Sequence, residues 1–145
     1  MLLTLRTADA KDWAMVRRHL ERAGLPVVGV KAHLEHFTLA WHEQHLVGIA
    51  GLEVYGDAAL LRSVAVNSSL RGQGVGTELV RHSLETARGM NVKDVVLLTE
   101  TAEDYFPRFS FRVIPRDAVP AAVKQSLEFR GACPDSATAM HLRLE

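Results

Sequence analysis

Residues 63–80 read SVAVNSSLRGQGVGTELV, and the reading of the fold starts there. The stretch opens as an apolar strand end, Ser63-Val64-Ala65-Val66, and crosses a polar loop, Asn67-Ser68-Ser69-Leu70. It then runs through Gly72, Gly74 and Gly76 into a helical pattern. A strand, a glycine-rich loop and a helix start together make an anion site. The first turn of a helix has N–H groups with no internal partner, and the helix dipole is positive there. Glycines let an anion approach the backbone and permit positive φ. Arg71 adds a cation suited to phosphate oxygens. The loop is no P-loop, because no Lys follows its glycines, and its GxGxG spacing differs from the GxGxxG of a dinucleotide fold.

Working outward, Val75, Leu79, Val80, Leu84 and Ala87 share one face of a helix predicted from about Val75 to Arg88, while Glu78, Arg81, Glu85 and Arg88 share the other. Val95 to Thr99 is an apolar run and reads as a buried strand, so Ala58 to Thr99 forms a parallel crossover. Before it, Thr38–His42, Leu46–Tyr55 and Ala58–Val66 read as an antiparallel meander with turns at Glu43-Gln44 and Gly56-Asp57. A strand at Leu2–Arg6 and a helix carrying Trp13, Val16, Leu20 and Ala23, capped by Thr7 or Asp9 and stopped by Gly24 and Pro26, open the chain. A weaker helical segment is expected over Val28–His36, short helices near Ala102–Phe109 and Val119–Leu127, and strands near Phe111–Ile114 and Ala137–Leu144. The fold class is α+β (α/β in the broad sense): a mixed central sheet of six to seven strands flanked by helices, as a single domain over residues 1–145.

The 145 residues carry 17 Lys plus Arg and 17 Asp plus Glu, for a formal net charge of zero. That balance argues against nucleic acid or an anionic membrane as partner. The lone Cys133 cannot form an internal disulfide, and no HExxH or Cys/His cluster suggests a metal site. The N-terminus does not read as a signal peptide and no apolar run approaches a membrane span, so a cytoplasmic location is expected.

The stretch 63–80 resembles the signature of the GNAT superfamily of acetyl-CoA-dependent N-acetyltransferases: a strand ending in Val, a short loop, then [RQ]-x-x-G-x-[GA] at a helix start. The order of elements also resembles that superfamily over essentially the whole chain. The resemblance implies an enzyme that transfers an acetyl group from acetyl-CoA, as co-substrate, to an amine by direct attack. It implies that Val64, Ala65, Val66, Arg71, Gly72, Gln73, Gly74, Val75, Gly76, Thr77 and Phe106 hold the coenzyme, with amides near Val64 and Val66 bonding the pantetheine arm and the thioester carbonyl. An amine with a pKa of roughly 10 must lose a proton before it attacks. Glu53, a charged residue inside the apolar run GIAGLEVYG, is the candidate base. In the downstream motif where such enzymes carry a tyrosine acid, Phe106 stands at the tyrosine position, Ser110 replaces glycine, and Tyr105 is expected to point elsewhere.

GLEVYG, LLRSVAV, LLTETAEDYFPRFSF, PRDAVPAAVKQSLEF and ACPDSATAM resemble more narrowly the members encoded in arsenic-resistance operons and the amino-acid acetyltransferases of the N-acetylglutamate synthase type. This implies a small amino-acid-like amine as substrate, glutamate or a toxic phosphinic or arsenical analogue. Arg62 or Arg112 would supply a cation, and Ser63 and Thr99 hydroxyls would bond a carboxylate. Cys133 reads as a packing residue. Acetylation of a protein N-terminus or lysine, and a non-catalytic acetyl-CoA sensor, are the alternative functions. A homodimer is expected by analogy with many members.

Overall fold

The computed structural model describes residues 2–132 and 134–144. Seven strands, β1 (Thr4–Thr7), β2 (Phe37–His42), β3 (His45–Tyr55), β4 (Ala58–Val66), β5 (Asp94–Thr99), β6 (Arg112–Ile114) and β7 (Thr138–Arg143), form one mixed sheet in the order β1-β2-β3-β4-β5-β7-β6. Helix α1 (Trp13–Arg22) and helix α2 (Val75–Gly89) lie on opposite faces of it.

Local chemistry explains the elements. Asp9 caps the turn before α1 by accepting from Lys11 N–H, and Asp12 returns the bond to Asp9 N–H at 2.9 Å. Val16 and Leu20 of α1 then pack on Phe37, Leu39 and Ile49. On the other face, the α2 residues Val80, Leu84 and Ala87 pack on Leu52, Leu61, Val95 and Leu97, and Val75 and Leu79 pack on Val47 and Ala50. Each such valine, leucine, isoleucine or phenylalanine contributes roughly 1.5–3 kcal/mol of burial. Gly51 has a packing role: a Cβ there would run into the Phe37 ring, which is fully buried.

The meander, the crossover and α2 match the sequence reading closely. Three expected helices do not form as α-helices. The segment 28–36 is a 3-10 turn over Lys31–His36, residues 102–109 narrow to Phe106–Phe109, and residues 119–127 hold only a short turn at Val123–Gln125. Pro107 and Pro120 punctuate the last two segments, and runs this short do not recover the cost of nucleating an α-helix. Their apolar residues are still buried, Val119 and Val123 against Leu60 and Val96.

The feature that positions the site is the separation of β4 from β5. The two strands pair in parallel only at Ala58, Ala59 and Leu60, opposite Asp94, Val95 and Val96. Beyond that both strands continue, to Val66 and Thr99, without pairing to each other.

Candidate active site

A β-bulge opens the separation. Ile49 pairs with Ala65 and Gly51 with Arg62, so Ser63 and Val64 together face Ala50. Ser63 takes φ 60°, a left-handed conformation uncommon for a residue with a side chain. The extra residue inverts the alternation of the strand. Leu60 faces the side of the sheet that α1 covers, whereas Val64 and Val66 face α2. Amide direction follows from the same alternation. Asn67 donates to Val47 O on β3 at 2.8 Å. The N–H groups of Val66 and Val64 therefore point away from β3, into the gap beside β5.

Two cavities meet in that gap. The first, about 640 Å³, is a groove lined by Val64, Ala65, Val66, Leu70, Arg71, Gly72, Gly74, Val75, Gly76, Thr77, Tyr105 and Arg108, among others. It ends at the first turn of α2. The first intrahelical bond there runs from Glu78 N–H to Gly74 O at 3.0 Å, so the amides of Val75, Gly76 and Thr77 precede it. Gly72 (φ 83°) and Gly74 (φ 86°) are left-handed. Gly76 is needed for a different reason: a Cβ there would lie 3.2 Å from the Tyr105 hydroxyl. Gln73 is exposed and does not line the groove.

The second cavity, about 760 Å³, shares Val64, Ala102 and Tyr105 with the groove and extends past Arg62, Ser63, Thr99, Glu100, Phe106 and Glu128 to the loop 23–26. Its wall holds a buried ionic cluster. The Arg62 guanidinium, with a fully buried side chain, donates from Nη1 to Glu53 Oε2 at 2.6 Å and to Val28 O at 2.9 Å. It also donates from Nη2 to Pro26 O at 3.0 Å and from Nε to Ser63 Oγ at 3.0 Å, and Nε lies 3.4 Å from Glu128 Oε2. Arg62 thus ties the loop 26–28 and the Ser63 bulge into one wall. Gly29 lets the loop approach: its φ is 82°, and a Cβ would sit 3.2 Å from Arg62 Nη1.

The sequence-predicted residues distribute as follows. Val64, Ala65, Val66, Arg71, Gly72, Gly74, Val75, Gly76 and Thr77 come together along the groove. Arg62, Ser63 and Thr99 come together around the second cavity. Thr99 Oγ1 also accepts from Ala102 N–H at 3.0 Å, fixing the turn that carries Tyr105. Glu53 lines neither cavity. Its side chain is on the α1 side of the sheet, held by Arg62 and by a hydrogen bond from the Tyr55 hydroxyl. Burial pushes its pKa up, but the bonds from Tyr55, Arg62 and Ser126 outweigh that and hold it below the usual carboxylate value. Tyr55 moves the opposite way, raised by burial and by its bond to Glu53. Arg112 is exposed on β6 and lines neither cavity. Cys133 lies outside the described residues.

The expectation for Tyr105 is corrected. Phe106 is the residue turned into the core, against Phe111, with 7% of its surface exposed, and it touches only the second cavity. Tyr105 lines both cavities. Its hydroxyl lies 3.2 Å from Thr77 Oγ1 on α2, and its ring carries the Arg108 guanidinium at 4.1 Å. A 3-10 turn replaces the assumed α-helix at this point, which changes where successive side chains point. Tyr105, Arg108 and Glu128 were not among the residues selected from sequence. Tyr105 and Arg108 lay in the quoted stretch LLTETAEDYFPRFSF and Glu128 in PRDAVPAAVKQSLEF, but none of the three was given a role there.

Among the described residues no helix is long and apolar enough to cross a membrane, and no group of three or more His, Cys, Asp or Glu is placed to hold a metal ion.

Residues 5–111 match the model of the Acetyltransferase (GNAT) family. The amino-acid acetyltransferase of Neisseria meningitidis serogroup A is 23% identical over 131 residues, which is 86% of this chain and 30% of that protein. The amino-acid acetyltransferase of Mycobacterium tuberculosis is 32% identical over 94 residues, 62% of this chain and 53% of that protein. The chain therefore spans only part of the length of the curated relatives it matches. Among solved structures, N-acetylglutamate synthase from Neisseria gonorrhoeae, complexed with coenzyme A and N-acetyl-glutamate, superposes with a TM-score of 0.84 at 20% identity, covering 100% of this chain and 36% of that one. At that identity the likeness concerns the fold.

Proposed function

The chain belongs to the Acetyltransferase (GNAT) family, and from that premise we propose that it transfers the acetyl group of acetyl-CoA to the amine of a small amino-acid-like substrate by direct attack. The observation that carries the proposal is the continuity of the two cavities through the gap between β4 and β5, with Val64 and Tyr105 at the junction. One opening ends on helix-start amides suited to a pyrophosphate, and the other on polar side chains suited to a small acceptor.

Acetyl-CoA, when bound, supplies the activated acetyl thioester. Gly72, Gly74 and the amides of Val75, Gly76 and Thr77 would hold its phosphates, with Arg71 as counter-charge. The unpaired edge of β4 would bond the pantetheine arm and present the amides of Val64 and Val66 to a carbonyl oxygen. The second cavity would seat the acceptor, with Ser63 and Thr99 as hydroxyl partners. The name of the curated relatives supports an amino acid as acceptor. The finer reading, a glutamate-like acid including phosphinic or arsenical analogues, needs a cation for the second acid group, and Arg62 is the cation in the lining of that cavity. A single domain and a homodimer remain part of the proposal, on family analogy.

Thiol release from acetyl-CoA across amino acids, phosphinothricin-like analogues and peptides tests it. Release with small amino acids is expected, fastest with acidic ones if the finer reading holds. Preference for peptides would replace it with protein acetylation, and binding without release would leave a sensor.

A further inference from the structure

We infer that Glu128 is the carboxylate that receives the acceptor's ammonium group, in a cavity wall where it shares the Arg62 guanidinium with Glu53. The inference rests on reading the second cavity as the acceptor site, and it assigns to Glu128 the contact that sequence alone placed at Glu53.

Position is the first argument. Glu53 is 1% exposed and lines neither cavity, and its two carboxylate oxygens meet Tyr55 and Arg62. Glu128 is 5% exposed and lines the second cavity. Its oxygen Oε2 lies 3.4 Å from Arg62 Nε. Ser126 fixes the segment by accepting from Glu128 N–H at 3.2 Å.

Charge is the second. The charged side chains in the described lining of the cavity are Arg62, Glu100 and Glu128, one cation and two anions. The one cation is bonded to Glu53, Ser63 and the carbonyls of Pro26 and Val28, and it also pairs with Glu128 at 3.4 Å. An ammonium ion entering there meets the Glu128 carboxylate in a recess where charge interactions are stronger than in water. Glu100 is exposed at the end of β5 and is screened by solvent. His33 stands on the far side of the cluster, with Nε2 3.7 Å from Glu53 Oε1. Direct attack then requires the ammonium to give up one proton, and Glu128 is placed to take it or to pass it to solvent.

The test is ammonium-selective binding to the CoA-loaded protein, read by calorimetry. The probes are L-glutamate, glycine and n-propylamine against 2-hydroxyglutarate, glycolate and 1-propanol. The wild-type protein should bind at least one amine at least tenfold more tightly than its hydroxy analogue. Glu128→Gln should lose that preference while binding CoA as wild type does. If Glu128→Gln does not bind CoA, Glu128→Asp replaces it, with an expected rise of about tenfold in amine Kd at unchanged CoA affinity. Retained amine preference in a CoA-binding Glu128→Gln, unchanged amine affinity in Glu128→Asp, or no preference in the wild type overturns the inference. Preference lost in Glu128→Gln with no thiol release from any variant supports it while removing acetyl transfer as the function.

Discussion

Glu53→Gln takes away one of the two carboxylates around Arg62 and leaves that guanidinium under-compensated in a fully buried position. Breaking a buried pair from one side costs about 3–5 kcal/mol, so thermal unfolding should fall by many degrees. The pH dependence of kcat/KM should keep its midpoint, because Glu53 does not reach the acceptor cavity; a shifted midpoint would return the base role to Glu53. Asp12 offers a cleaner linkage. Two short bonds from Arg6, at 2.8 and 2.9 Å, lower its pKa to about 2, against the opposing effect of burial. A carboxylate depressed in the folded state stabilises that state fully above its unfolded value of about 4 and loses the contribution as pH falls toward 2. Arg6 is 38% exposed, so solvent screening reduces the effect to about 1 kcal/mol or less. The stability difference between wild type and Asp12→Asn, from urea titrations at pH 7 and pH 2.5, should shrink at the lower pH. A constant difference would show that the Arg6 pair contributes nothing.

At the scale of elements, the α2 start and the Tyr105 turn are one unit. Gly76 and Tyr105 approach each other because neither Cβ nor a longer side chain stands between them. Gly76→Ala puts a methyl 3.2 Å from the Tyr105 hydroxyl and should weaken acetyl-CoA binding about tenfold. Tyr105→Phe alone removes one hydrogen bond to Thr77, worth about 1 kcal/mol, and should raise the acetyl-CoA KM severalfold with kcat nearly unchanged. The double variant Gly76→Ala, Tyr105→Phe should bind better than the two separate losses predict, because the phenylalanine lacks the atom that clashes. Strict additivity in a double-mutant cycle would place the hydroxyl away from Gly76. A large fall in kcat for Tyr105→Phe would instead assign the tyrosine a proton-transfer role.

For the molecule as a whole, β4 and β5 diverge after Leu60 and Val96, and the sheet is held together there by its flanking elements rather than by a ladder. A ligand lodged in the gap bridges the halves. Acetyl-CoA at a hundred times its Kd stabilises the folded state by about 2.7 kcal/mol, a rise of several degrees in Tm. Gly74→Ala, which forces a side chain into a left-handed position, should blunt that rise; no rise in the wild type would remove the groove as the coenzyme site. The features behind these expectations divide by range along the chain. The glycine loop, the amphipathic face of α2 and the hairpins were legible in sequence, because turn chemistry and a regular hydrophobic period are local. The same locality made the glycine run at Arg71 to Gly76 readable as a candidate anion site. Sequence could not reveal the bulge at Ser63, since nothing in a serine announces φ 60°, and that bulge decides which way Val64 and Val66 face. It could not separate Tyr105 from Phe106, since a 3-10 turn lacks the period from which a direction is read. Nor could it place Glu128 beside Arg62, 66 positions away in the numbering. That contact follows from folding an irregular segment onto the sheet, where charge and burial, rather than any pattern along the chain, select the partner.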